Sequence, residues 1–395
     1  MLLVNILLTL VGLTILLFIF EYQYQSDSRE FETTWPVEHH KEIGWIFEPG
    51  ATVKWTNHST FWQESKANEM GFLDRLGVLE RHTPKSCDII FLGDSFVEAA
   101  QIPVEKKSHV VLERMANNLP LGRTVRTSAF GYSGTGQVSQ RPFFDKFIAP
   151  LKPDLLIMMV ISNDLSDNSP ILTSIRNGWH PDFSPRPFYK KDQNGQLKYT
   201  LDHPDWAEHL LPTPILSSLK NSAIWKRLGI NFSVKYNISD PVIESRVKEL
   251  LKLDLPGHVS EGIESIKTHA DIDFRYRENA VDKEAISITR HVFDYYNKLT
   301  QKIGTKILIV YNYDIVGDKN NTIAIEQADQ RRNIFLKIGR DFSIPVILMD
   351  NGKFISYKTI EKLFIKNDGH WSIEGHKEVA KKVLSFLMKD RTICQ

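Results

Sequence analysis

The chain lacks any charge bias. Its 49 Lys and Arg face 48 Asp and Glu, a formal net charge of +1 at pH 7. Neutralising a nucleic-acid backbone takes a concentrated basic surface, so this balance argues against nucleic acid as a main partner. Internal repeats, heptad arrays and long low-complexity segments are also missing, which argues against a repeat architecture. Cysteine is scarce. Cys87 opens a hydrophobic run and reads as a buried thiol, Cys394 lies on the terminal tail, and the sequence leaves open whether they pair.

Charge is absent altogether from the first 20 residues, MLLVNILLTLVGLTILLFIF. As a helix they would span about 30 Å, the width of a bilayer's hydrocarbon core. No Lys or Arg precedes the run, and it passes directly into EYQYQSDSRE without the basic start expected of a cleaved signal. An uncleaved transmembrane helix is therefore expected, ahead of a cleaved signal or a buried helix, with the lipid bilayer as partner through residues 1–20. Arg29 is outnumbered by Glu21, Asp27 and Glu30, so nothing basic holds that side in the cytoplasm. The expected location is single-pass and membrane-anchored, with the bulk of the chain extracytoplasmic.

Five short apolar runs predict strands: Asp88–Leu92, Val125–Phe130, Leu155–Ile161, Lys306–Tyr311 and Pro345–Met349. Helical periodicity marks Lys107–Asn117, Ala285–Lys302, Gln327–Gly339 and Ile373–Met388. Such alternation implies an α/β protein with a parallel central sheet covered on both faces. The expected organisation has residues 1–20 as the membrane helix and 21–86 as a membrane-proximal lead-in. The core is 87–166 with 285–390, and 167–284 is an insertion, a lid or substrate surface.

Four stretches could carry chemistry, and each follows a strand or opens a helix. In CDIIFLGDS a glycine turn would present Ser95 at the carboxyl end of a strand. In NDGHWSIEGH, His370 is a base that works near pH 7 and Asp368 is its orienting acceptor. His376 reads as structural, and a metal set of Asp368, His370 and His376 matches no common zinc spacing. In SND, Asn163 is a neutral donor suited to an oxyanion, while Asp164 ties the loop. In GYSGTGQ, glycines would let backbone amides approach a ligand. In a parallel sheet all four would meet beyond the strands' carboxyl ends.

Taken together, the blocks GDSFVEA, SAFGYSGTG, ISNDLSDN and DGHWSIEGHKEVA resemble those of the SGNH (GDSL-type) hydrolases. Within them the chain resembles the membrane-associated members related to alginate-type polysaccharide O-acetylation proteins. ANEMGFLDR, at residues 67–75, is similar to a segment that often precedes the nucleophile strand there. The resemblance implies a flavodoxin-like three-layer fold, with Ser95 as nucleophile and His370 and Asp368 as base and orienter. It also implies an oxyanion hole made by Ser95, Gly134 and Asn163, and neither cofactor nor metal. Ala129 stands where the family usually has Asn, and Ile161 where it usually has Gly; Gly131 is the alternative to Gly134.

The implied chemistry is acyl transfer through an acyl-serine. An esterified glycan is the expected substrate, because Trp179, Trp206 and neighbouring aromatics in the insertion could stack on sugar rings. The expected function is removal of acyl groups, acetyl first, from a cell-surface glycan. The alternatives are a polysaccharide O-acetyltransferase working with a membrane acyl-donor protein, a lipid or lysophospholipid esterase, and a non-catalytic glycan-binding or assembly protein.

Overall fold

The computed structural model describes Gly12 and residues 34–40, 43–56, 62–81, 83, 85–169, 172–173, 187–191, 194–200, 280–312, 322–350, 361–366 and 368–394. Four short strands come first. β1 (Val37–His40) pairs antiparallel with β2 (Gly44–Phe47), and β3 (Thr52–Thr56) pairs antiparallel with β4 (Trp62–Lys66). These hairpins were not legible as strands in the sequence. They present Ile46, Phe47 and Val53, which join Phe72 in the main hydrophobic core, so the lead-in packs onto the core as one body.

The five predicted core strands all form. They are β5 (Ser86–Gly93), β6 (Thr124–Gly131), β7 (Leu155–Val160), β10 (Lys306–Tyr311) and β11 (Val346–Leu348). All neighbours run parallel, in the order β11-β10-β7-β5-β6. Counted along the chain, the core order is 2-1-3-4-5, the flavodoxin-like doubly wound arrangement. The order reverses at β5, so the crevice at its carboxyl end is where such sheets bind ligands.

β5 and β7 are buried along their whole length, as a strand covered on both faces must be. Their side chains divide with the period of two. Ile90, Leu92, Leu156 and Met158 enter one cluster, and Cys87, Ile89, Phe91, Ile157 and Met159 enter the other. The described helices that cover the sheet or carry candidate site residues are α1 (Ser95–Glu98), α2 (Ser108–Ala116), α3 (Gln137–Phe143), α4 (Asp164–Asp167), α5 (Ala280–Ile303), α6 (Thr322–Asp341) and α7 (Ile373–Lys389). α3, α5 and α6 cover the first face with Phe143, Phe293, Tyr296 and Phe335. α2 and α7 cover the second with Leu112, Val379, Val383 and Leu387. α5 begins at Ala280, ahead of the predicted Ala285, because Asp282 and Glu284 are buried rather than left outside the helix.

Cys87 is buried as predicted, but it is bonded to Cys394 rather than free. Folding decides this: the tail after α7 returns to the amino end of β5, where Arg123 Nη2 donates to Ile393 O at 3.1 Å. In the insertion, β8 (Phe188–Lys191) and β9 (Leu197–Thr200) form an antiparallel hairpin. Residues 201–279, with Trp206, lie outside the described residues, as does Trp179.

The expectation of a transmembrane helix is corrected. Among the described residues, no helix is long and apolar enough to cross a membrane. A span needs about 20 predominantly apolar residues, whereas the longest described helices carry charged side chains through their length, α5 with Lys283 and Arg290 and α6 with Arg332 and Lys337. Residues 1–20, on which the expectation rested, lie outside the described residues apart from Gly12. The correction removes the ground for a bilayer partner, for a membrane-anchored extracytoplasmic location and for a membrane acyl-donor protein.

Candidate active site

β5 delivers the turn that carries Ser95. Asp94 caps α1, its carboxylate accepting from Phe96 N at 3.0 Å, while its carbonyl accepts from Val97 N at 3.0 Å and Glu98 N at 2.9 Å. These bonds force a strand-to-helix turn and leave Ser95, half-buried, as the first residue of α1.

The Asp368–His370 turn forms as a local unit. Asp368 Oδ1 accepts from His370 Nδ1 at 2.5 Å and from His370 N at 3.1 Å. That bond leaves Nε2 as the free acceptor of the neutral ring. Ser372 caps α7 by accepting from Gly375 N at 3.3 Å. Trp371 then locks the turn to the sheet, donating from Nε1 to Asn312 Oδ1 at 2.9 Å just beyond β10. The His370 side chain is 25% exposed and the Asp368 side chain 4%.

The two blocks meet across Phe96. Its ring centroid lies 5.1 Å from that of His370 and 4.9 Å from that of Trp371. The structure thus brings His370 to the residue next to Ser95, although the two make no hydrogen bond to each other among the described residues. Burial alone would lower the His370 pKa. The hydrogen bond and charge of Asp368, with the charges of Asp94 and Glu98, outweigh it and raise the pKa above the ordinary histidine value.

The remaining blocks leave neighbouring strands. Gly131 ends β6 directly beside Gly93 of β5. A Cβ on Gly131 would stand 2.2 Å from Glu98 N, so only glycine lets this strand end close against α1. Gly134, three residues on, has φ +66°, the left-handed region. Gly131 thus serves packing, and Gly134 belongs to the loop itself. Asn163 precedes α4, with Nδ2 donating to Asp167 Oδ2 at 2.7 Å, so one amide hydrogen of the predicted oxyanion donor is already held. Asp164 ties the loop as expected, accepting from Ile161 N at 2.8 Å. It is fully buried, and burial together with the charge of Asp94 raises its pKa well above the carboxylate range.

Comparison with solved structures finds distant likenesses at this point. A lipase from a goat rumen metagenome is 12% identical, over 75% of this chain and 96% of its own, with a TM-score of 0.38. An acetylxylan esterase from Geobacillus stearothermophilus is 11% identical, over 78% and 95%, with a TM-score of 0.38. An α/β hydrolase from the metagenome of Lake Arreo, Spain, is 11% identical, over 77% and 96%, with a TM-score of 0.39. No protein-family model matches the chain, and no curated protein matches it. Likeness at this level does not speak to activity.

His376 is not part of a metal set with Asp368 and His370. Its Nδ1 faces Ser108 N at 3.2 Å and Ser108 Oγ at 2.7 Å, and its ring packs edge-on to Trp371. Burial holds its pKa well below the ordinary value, so it is a neutral core residue. Among the described residues, no three His, Cys, Asp or Glu side chains gather to hold a metal ion.

Several residues near the site escaped the sequence reading. Gln101 is buried, with Nε2 3.2 Å from His370 Nδ1 and Oε1 unpartnered. Lys107 is buried at the start of α2 and donates to Leu73 O at 2.6 Å and Glu98 O at 2.5 Å. It thereby links the 67–75 segment to the nucleophile turn. Burial pushes its pKa down to about 8, against the charges of Asp74, Glu98 and Glu105. Asp74 accepts from His109 Nε2 at 2.7 Å and Ala129 N at 2.9 Å, bracing β6 from behind. The sequence signalled Gln101 and Asp74 only by their place beside or inside the quoted blocks, and Lys107 only as the first residue of a predicted helix.

Proposed function

We propose that the chain is a serine esterase that works through an acyl group held on Ser95. The observation that supports it most directly is the Asp368–His370 pair closed against Phe96, next to Ser95, at the strand end where the sheet order reverses. In this reading His370 Nε2 takes the hydroxyl proton as Ser95 Oγ bonds to the ester carbonyl carbon. The C–O bond to the leaving alkoxide then breaks, and the alkoxide takes the proton back from His370. Water, activated by the same nitrogen, cleaves the acyl-serine in the second half. Charge on the carbonyl oxygen is met by the amides of Ser95 and Gly134 and by the second Nδ2 hydrogen of Asn163, each donor worth roughly 3–4 kcal/mol in the transition state.

The finer reading is an acetyl ester on a glycan as substrate. It follows from the resemblance of the four motif blocks. The test is release of p-nitrophenol from its acetyl ester, and of acetate from acetylated oligosaccharides, by wild type, Ser95→Ala and His370→Ala. Each variant should lose nearly all turnover while keeping the wild-type melting midpoint. Turnover near wild type in both would overturn the esterase. An acyl product appearing on an added sugar, in place of free acetate, would make the enzyme a transferase using the same serine.

A further inference from the structure

Glu98 is a buried acid that the acyl-transfer chemistry leaves unused. It closes α1 one helical turn after Ser95 and is 2% exposed. Its two carboxyl oxygens differ: Oε2 takes the Ser133 hydroxyl, and Oε1 has no partner. Its main chain is held as well. Glu98 N donates to Asp94 O, and Glu98 O accepts from Lys107, whose other bond reaches Leu73 O. Gly131 lies against the same backbone, too close for any Cβ. The end of α1 and the loop leaving β6 therefore touch twice, through main chain at Gly131 and through side chains at Ser133. The peptide after Ser133 carries the Gly134 amide.

We propose that Glu98 is a positioning residue: its bond to Ser133 holds the Gly134 amide in register with Ser95. The proposal rests on Ser95 being the nucleophile. Ser95 and Glu98 share one four-residue helix, so a peptide anchored to Glu98 is anchored to the nucleophile. A displacement of about 1 Å at such a donor is enough for a roughly 10²-fold loss in rate. The charged groups facing Glu98 are Lys107 from the start of α2 and His370 from the turn before α7, with Ser133 from the loop after β6. Burial pushes the Glu98 carboxyl up to about 7, while the Ser133 hydroxyl and amide, then Lys107, then His370, pull it down. In its ionised form it adds to the field that raises the His370 pKa.

The experiment compares Glu98→Ala, Glu98→Gln, Ser133→Ala and the Glu98→Ala/Ser133→Ala double variant on p-nitrophenyl acetate, with Ser95→Ala as reference. Glu98→Ala and Ser133→Ala should each lower kcat about 10- to 100-fold with little change in KM, and the double variant should be no worse than the poorer single. Glu98→Gln, which can still accept from Ser133, should recover most of kcat. It should also move the acid limb of kcat/KM to lower pH, a shift that a purely structural role would not produce. Multiplying losses in the double variant, or a near-wild-type kcat in Glu98→Ala, would overturn the proposal. Should Glu98→Ala fail to fold, an unchanged kcat in Ser133→Ala has the same force. An active Ser95→Ala would instead sink the nucleophile reading beneath it.

Discussion

Replacing Cys394 with Ser opens the bond to Cys87 and probes the whole architecture at once. The two residues are 307 positions apart, and α1 and α7, the elements that carry Ser95 and follow His370, both lie within the loop they close. Chain-entropy reasoning for a loop of that size gives about 5.7 kcal/mol of unfolded-state entropy removed at 25 °C, whereas native disulfides usually deliver about 2–5 kcal/mol. The lower range is expected here, because Arg123 still holds the tail through Cys394 O at 3.2 Å and Ile393 O. At about 2.1 cal/mol/K of unfolding entropy per residue, a chain this size should drop by about 2–6 °C in melting midpoint. The assay is thermal unfolding of wild type and Cys394→Ser with and without reductant. Reduction should lower wild type to the variant's midpoint and leave the variant unchanged. Activity at 25 °C should be preserved, because Cys87 lies at one end of β5 and Ser95 just beyond the other, with about 20 Å of strand between Cys87 and Gly93. A wild-type midpoint indifferent to reductant, or two titratable thiols in unreduced unfolded protein, would refute the reasoning.

Asp368→Asn should remove the carboxylate that orients His370, lowering kcat by up to roughly 10⁴-fold. Wild-type kcat/KM should rise with pH through a value above the ordinary 6.5, since His370 must be neutral to act and its pKa is raised; the variant's limb should fall lower. An unmoved limb in the pH–rate profile would exclude His370 as the titrating base. Lys107→Met should cost about 2–4 kcal/mol in denaturant unfolding, because Leu73 O and Glu98 O lose their donor in the interior; an unchanged midpoint would show that these bonds contribute nothing. Asp164→Asn tests a buried acid with a raised pKa, whose stabilising contribution is present at low pH and lost as pH rises through its folded value. The variant's melting midpoint relative to wild type should therefore improve steadily with pH, and a pH-independent difference would show that Asp164 does not titrate in that window.

Local pattern was enough for the elements of the sheet. Short β-branched runs ending in small-residue turns specify strands buried on both faces, and all five appear within a few residues of their predicted bounds. The Asp368–His370 pair was legible for a related reason, since the two residues lie within one turn of each other in sequence. What decided the site was not local. That His370 closes on Phe96, that Glu98 holds Ser133, and that Lys107 bridges Leu73 and Glu98 depend on contacts separated by as many as 274 positions. Periodicity carries no information about such meetings, because it reports which face of an element is buried and not what lies against it. The pairing of Cys87 with Cys394 was undecided for the same reason. Composition and hydropathy suggested a bilayer for residues 1–20, but that pattern fits more than one fate of an apolar run. Sequence pattern alone determined the five core strands, their alternation with helices and the chemical types at their ends. Strand order, the convergence of those ends and the buried acids behind them came only from the packed sheet, where burial sets both distance and charge.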